Sequence, residues 1–356
     1  YLNFFTVPKY HKAHDRLSDF NFCFEFLHYL KEDYKISFID HMGSKSYFSE
    51  NGIDYYFRKK TSNSKFYFSF RLNALLKKLK PEIIYLQGMF HTQSLIFSLL
   101  FFKYRPKIIV QHHAEKVPKN SFKILLLRWQ DKWVDKYIFT SKDMAENWVS
   151  KGAISSLSKV YEQPELSTFF ERNTTVKKNE NQFLWVGRLN KNKDPITVVL
   201  GFIEFLKTNP NAKLYMFYHA TQLLPAIKKL VTDHGAESHI ILKGNVPRQE
   251  LEKWYQKSSF FLLGSHYEGG ATSLLEAMAC GCIPIVTNIA SNRKITENGR
   301  YGFLFEPKNT MDLLETLKAT EFINQEDYRN KIVGHFKKNL SFKALAKGIH
   351  EIISKF

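Results

Sequence analysis

Short apolar runs separated by longer stretches of mixed character set the pattern of this chain. In the first half they fall at 1–7, 35–40, 107–110 and 137–140, and in the second at 183–186, 213–218, 239–244, 260–265, 283–287 and 302–306. Runs of this length without strict alternation predict strands covered on both faces. Between them lie stretches with helical spacing at 142–151, 220–234, 247–257 and 309–318, and at the end 340–356. A helix is also predicted over 18–31, where Phe20, Phe22, Phe24, Phe26, Leu27 and Leu30 crowd one broad face. The window 83–102 is interrupted by Gln87, Gly88, His91 and Gln93, so it reads as a strand and a buried helix rather than a membrane span. Strand and helix alternate throughout, which with right-handed crossovers predicts parallel, doubly wound sheets. The stretch 170–182 has no core-forming run and is expected to be a linker, dividing the chain into domains 1–169 and 170–339.

In such sheets ligands meet the carboxyl ends of the strands, so the loops there matter most. The run 260–265 is followed by Glu268, Gly269, Gly270, Ala271, Thr272 and Ser273, then by the helix formers Leu274, Leu275, Ala277 and Met278, with Gly281 as the stop. Gly269 and Gly270 allow close approach of a ligand to the backbone, and the amides near Thr272 and Ser273 open a helix, a place suited to phosphate. Glu268 on the loop and Glu276, expected on the first helical turn, suit hydroxyl groups of a ribose or sugar; the alternative is a solvated loop acid and a helix-dipole carboxylate. Cations for a phosphate come from the loop after 183–186, where Gly187 and Arg188 lead to Lys193. There Asp194 is the expected N-cap and Pro195 the first helical residue. In the first half, the strand 107–110 delivers His112 and His113, and at least one of these neighbours is expected to face the ligand side.

Composition narrows the partners. Hydrophobic residues make up 44% of the 356 and aromatics 15%, which excludes a disordered chain. The formal charge of +18 is spread over both halves and suits an anionic partner. Cations interleaved with aromatics at 58–80 and 101–107 would suit an anionic membrane surface; amphipathic helices with solvated cationic faces are the alternative. The three cysteines, Cys23, Cys280 and Cys282, form no disulfide framework, and the last two read as buried small hydrophobes. These features lead to the expectation of a cytoplasmic protein, with peripheral docking on the inner face of the plasma membrane left open. The chain opens at Tyr1 without methionine, which leaves open whether the native start is missing.

Gly187-Arg188-Leu189, Lys193 and the pair Glu268 and Glu276 resemble the GT-B glycosyltransferases, and within them family 4, the retaining enzymes (glycosyl transferases group 1). The resemblance is concentrated from Phe183 to about Leu317 and is diffuse in the first half. It implies an α/β GT-B fold, two Rossmann-like doubly wound domains facing a central crevice, with the helix 340–356 packing back on the first. It assigns catalytic roles to Glu268, His113, Arg188 and Lys193. Donor binding falls to Arg188, Lys193, Lys243, Gly244, Asn245, Gly269, Gly270, Thr272, Ser273 and Glu276, with Lys243, Gly244 and Asn245 facing the base and Glu276 the ribose. The implied reaction moves a sugar from a nucleotide-diphosphate sugar, UDP preferred to GDP, to a glycan, lipid-linked or small acceptor in bacterial surface polysaccharide or glycoconjugate synthesis. No metal and no further cofactor is expected. Departures from the family pattern are Ala271 at a frequent glycine position, Tyr218 and His219 in place of a glycine-containing turn, Gln163-Pro164 in place of Asn-Gly, and no glycine-rich turn at 6–16. A nucleotide-sugar epimerase or phosphorylase of the same fold is the nearest alternative, and a basic nucleic-acid-binding protein the alternative of another class; neither has a supporting motif.

Overall fold

The structure, a computed structural model, describes residues 1–7, 10–59, 70–100 and 104–356. The parts of the basic, aromatic-rich stretches at 60–69 and 101–103 lie outside the described residues. Two compact units share the chain, the first made of residues 1–166 and 345–356 and the second of residues 167–344.

The first unit is built on β1 (Leu2–Val7), β2 (Ile36–Met42), β3 (Ser46–Glu50), β4 (Ile53–Lys59), β5 (Ile83–Gln87), β6 (Lys107–Gln111), β7 (Lys136–Phe139) and β8 (Val160–Glu162). Their order across the sheet is β3-β4-β2-β1-β5-β6-β7-β8. Every pairing is parallel except β3 with β4. Ile108, Ile109, Val110 and Ile138 are completely buried, as expected of central strands covered on both faces.

Three features of this unit differ from the sequence expectation, the first being β8, a strand beyond 137–140, the last run expected in this half. β3 and β4 form a hairpin whose turn residues Asn51 and Gly52 both have positive φ, 51° and 81°. That is the two-residue turn that Asn-Gly favours, and with alternate burial of Ile53, Tyr55 and Phe57 it was a readable signal. The expected helix 18–31 is instead Ala13–Phe20, a 3-10 turn Asn21–Cys23 and a short helix Leu27–Leu30. Phenylalanines at every second position cannot share one face of a continuous helix. The break lets Phe24, Phe26, Leu27 and Leu30 enter the core.

The second unit carries β9 (Asn179–Gly187), β10 (Lys213–Tyr218), β11 (Ile240–Gly244), β12 (Ser258–Leu263), β13 (Ile283–Thr287) and β14 (Phe303–Phe305). All pairings are parallel, in the order β11-β10-β9-β12-β13-β14. This is the Rossmann order, and it reverses between β9 and β12.

The stretch expected as a linker is in part structured. β9 begins inside it, and Lys178 is buried with its Nζ donating to the carbonyls of Tyr255 (2.9 Å) and Ser258 (2.7 Å). Polar side chains can pin a segment through hydrogen bonds that leave no trace in a hydrophobic pattern. At the other end of the chain, helix Phe342–Ile353 contributes Leu345, Ile349 and Ile352 to the buried set. Its later turns join the first unit through Gln163 Nε2 to Leu345 O (3.2 Å) and Tyr34 with His350 (3.0 Å). No helix among the described residues is long and apolar enough to cross a membrane.

Candidate active site

Because β9 and β12 are neighbours and their crossovers leave in opposite directions, the loops after them, 188–194 and 264–271, border an opening at the carboxyl edge of the second sheet. Side chains and backbone tie these loops together. His266 N donates to Asn192 O (2.8 Å), Asn192 Nδ2 donates to Tyr267 O (3.0 Å), and His266 Nε2 lies 2.9 Å from Asp194 Oδ2. A Cβ on Gly264 would stand 2.8 Å from Asp194 O, so only glycine permits this approach. Asp194 caps the helix Pro195–Leu206 through Thr197 N, as its position before Pro195 implied.

Lys193 and Glu268 form an ion pair across the two loops, both side chains largely shielded from solvent. Arg188 is exposed on the same loop as Lys193. On the β12 side, Gly269 and Gly270 are buried and Ala271 adopts a positive φ of 43°. Thr272 and Ser273 begin the helix Thr272–Ala279, which no side chain caps at its start. The opening therefore holds two cations and a helix N-terminus for an anion, with one carboxylate beside them for hydroxyl groups.

Glu276 lies one turn further than expected, as the fifth residue of its helix. Its carboxylate is buried and takes a 2.9 Å contact from Arg248, at the start of helix Arg248–Lys257. Burial raises its pKa from 4.5 to about 6, against the opposing charge of Arg248 and the hydrogen bond of the Tyr255 hydroxyl. Arg248 escaped the sequence reading, although a cation following Pro247 at a helix start was a usable cue. Its guanidinium also stands 4.8 Å from the centre of the Phe170 ring.

Lys243, Gly244 and Asn245 lie apart from the Lys193–Glu268 pair. Lys243 and Gly244 end β11 and Asn245 follows it, two strands from β9 and so about 10 Å across the sheet. Lys243 rests over the rings of Trp254 (5.2 Å) and Tyr215 (5.9 Å). A cavity of about 360 Å³ is lined by Glu297, Arg300 and Tyr301, which precede β14, and by His335 at the end of helix Gln325–His335.

In the first unit, the two histidines after β6 do diverge. His112 is buried against Phe139, with ring centres 4.4 Å apart, and burial lowers its pKa. His113 places Nδ1 on the Glu165 carboxylate and Nε2 on the Gln87 side-chain oxygen. Both partners accept, so the ring is satisfied as the doubly protonated cation. Burial works against that charge, and the carboxylates of Glu165 and Glu115 outweigh it, raising the His113 pKa. A network runs on from Gln87 Nε2 to Gln111 (2.8 Å), which also accepts from the Tyr85 hydroxyl (2.6 Å). Gln87 and Glu165 were missed as partners, though each follows or ends a strand at the carboxyl edge.

Residues 167–339 match the sequence model of the family described as Glycosyl transferases group 1. The chain is similar to the mannosylfructose-phosphate synthase of Agrobacterium fabrum, 28% identical over 137 residues, which is 36% of this chain and 30% of that protein. It is similar to the capsular polysaccharide biosynthesis glycosyltransferase CapH of Staphylococcus aureus, 26% identical over 246 residues, or 65% of this chain and 67% of CapH. In fold it resembles Anabaena Alr3699/HepE in complex with UDP and glucose, with a TM-score of 0.69, 10% identity and 99% of each chain covered. The chain has the GT-B fold class with two Rossmann-like units, and its second unit, residues 167–344, contains the stretch similar to the glycosyl transferases group 1 family.

Proposed function

We propose that the protein is a retaining glycosyltransferase that moves a sugar from a nucleotide-diphosphate sugar, UDP in preference to GDP, to a glycan or lipid-linked acceptor in bacterial surface polysaccharide or glycolipid synthesis. The observation that carries this reading is the cluster at the β9/β12 reversal: Arg188, Lys193, Glu268 and the uncapped start of helix Thr272–Ala279 on two loops held together. Arg188 and Lys193 hold the diphosphate, the amides near Gly269, Gly270, Thr272 and Ser273 take a phosphate oxygen, Glu268 holds the sugar, and Glu276 the ribose. Lys243, Gly244 and Asn245 face the base. CapH and the UDP and glucose complex of HepE support the donor class and the biological setting.

In this mechanism the bond from the anomeric carbon to the phosphate oxygen breaks as the new bond to the acceptor oxygen forms on the same face. The leaving phosphate takes the acceptor proton, and Arg188 and Lys193 stabilise its growing charge, so the transfer runs without metal. His113 contributes its positive charge rather than acting as a base, since both ring nitrogens already meet Glu165 and Gln87.

Titration with UDP, GDP and a short oligonucleotide tests the reading. UDP should bind, and Arg188→Ala and Lys193→Ala should each weaken it by about tenfold to a hundredfold, the range of a charge-assisted hydrogen bond. Oligonucleotide binding without nucleotide binding overturns the proposal. Product anomers read by NMR test retention, and activity in the presence of a chelator tests metal independence.

A further inference from the structure

Helix Ser121–Asp131 carries Phe122, Leu125 and Trp129 at positions i, i+3 and i+7, which is one face. Its other side supplies the buried Leu127, Gln130 and Asp131, so that side docks the helix on its unit. On the outer face Phe122 is 66% exposed and Leu125 58%. The Trp129 ring lies 5.7 Å from that of Phe97 on helix Thr92–Leu99, and Phe97 and Leu100, the residue after that helix, are each 45% exposed. These five side chains make one apolar stripe across two helices, of the kind a soluble surface rarely leaves bare without a use.

The border of the stripe is cationic. Lys119, Lys123 and Lys132 are exposed, and Arg105 is held beside them by the carbonyls of Lys132 (3.2 Å) and Trp133 (3.1 Å). Between residues 104 and 132 the two acids are Glu115 and Asp131, and both turn inward. Glu115 accepts the backbone N–H groups of Met89 (2.7 Å) and His113 (2.6 Å), while Asp131 is buried and paired with Lys159 (3.2 Å). The segment thus presents apolar groups framed by positive charge with no exposed carboxylate of its own.

We propose that this stripe docks on a lipid bilayer carrying anionic headgroups, with Phe122, Leu125 and Trp129 entering the interfacial layer and the lysines meeting lipid phosphates. Charge selects this occupant. A second copy of the chain, related by a two-fold axis on the same face, would set these cations against their own equivalents. An anionic bilayer supplies the opposite sign and an apolar layer together. The surface includes Arg105 from the 101–107 stretch, and it stands independently of the sugar-transfer reading because it is tested by binding alone.

The test is co-sedimentation of the full chain with vesicles of phosphatidylcholine, and of phosphatidylcholine containing phosphatidylglycerol. The protein should pellet with the anionic vesicles, less so as salt is raised, and remain in solution with the neutral ones. Phe122→Ser combined with Leu125→Ser should lower the partition by about tenfold or more at low salt, as should Lys119→Glu combined with Lys123→Glu. Both pairs are on the surface, so the circular dichroism spectrum and unfolding midpoint should stay those of the wild type, separating lost docking from lost fold. Wild-type protein that stays in solution with anionic vesicles, or folded variants that pellet as well as wild type, overturn the proposal. So does a dimer seen by analytical ultracentrifugation that the Phe122→Ser, Leu125→Ser change dissolves, since a second copy would then cover the stripe.

Discussion

Burial lifts the Glu276 carboxyl from 4.5 to about 6 even with Arg248 and Tyr255 beside it. Between those values the folded chain holds a proton that the unfolded chain has released, so this group stabilises the fold at low pH and the contribution is lost as pH rises through about 6. At neutral pH its charge costs about 2 kcal/mol, the equivalent of that shift. A position that works against stability is one where a ligand has use for a carboxylate. Glu276→Gln should therefore raise stability to urea at neutral pH by about 2 kcal/mol and flatten its pH dependence between 4.5 and about 6, while weakening UDP binding. Unchanged stability and unchanged nucleotide affinity would remove Glu276 from the site. Lys193 presents the opposite case, since its partner Glu268 is shielded from solvent. Lys193→Ala strands that carboxylate and should lower stability by about 2 to 4 kcal/mol, whereas the paired change with Glu268→Gln should recover most of the loss.

At the scale of elements, the candidate site depends on how closely two loops approach. Gly264 directly follows β12, where a Cβ would press on Asp194 O at 2.8 Å and on the Val198 methyl at 3.0 Å. Backbone cannot yield as a flexible side chain does, so Gly264→Ala should push loops 188–194 and 264–271 apart and cost about 1 to 3 kcal/mol. The same displacement would separate Lys193 from Glu268, and nucleotide binding should weaken together with the unfolding midpoint. A melt and titration equal to wild type would show that the loops are not rigidly coupled.

For the whole molecule, the last helix links the two units in sequence. It begins within residues 167–344, while residues 345–356 belong with the first unit, burying Leu345, Ile349 and Ile352 there. Ending the chain at Ala344 removes those three apolar side chains from the first unit, at about 2 kcal/mol each by burial alone. The first unit should then unfold at markedly lower temperature in calorimetry. UDP at about a hundred times its Kd should add about 2.7 kcal/mol to the second unit, which carries the proposed phosphate and ribose contacts. A nucleotide shift confined to the first unit would contradict the assignment.

The alternation of apolar runs and helical stretches carries the six strands of the second unit and β1, β2, β5, β6 and β7 of the first, because strands buried on both faces have to be written in consecutive apolar residues; β3, β4 and β8 lie outside those runs. It also determined local chemistry such as the Asp194 cap and the glycine pair before Thr272, since these depend on neighbours in sequence. The Asn51-Gly52 hairpin was equally local and went unread. Tertiary structure alone decided which distant side chains meet: Lys193 with Glu268, Glu276 with Arg248, His113 with Gln87 and Glu165. It also decided that Lys178 in a polar stretch is buried, and that Phe122 and Leu125 in an apolar one are exposed. Hydrophobic pattern records the average environment of an element. Pairing and exposure depend on strand order and on what each helix packs against, and both emerge only when the elements assemble.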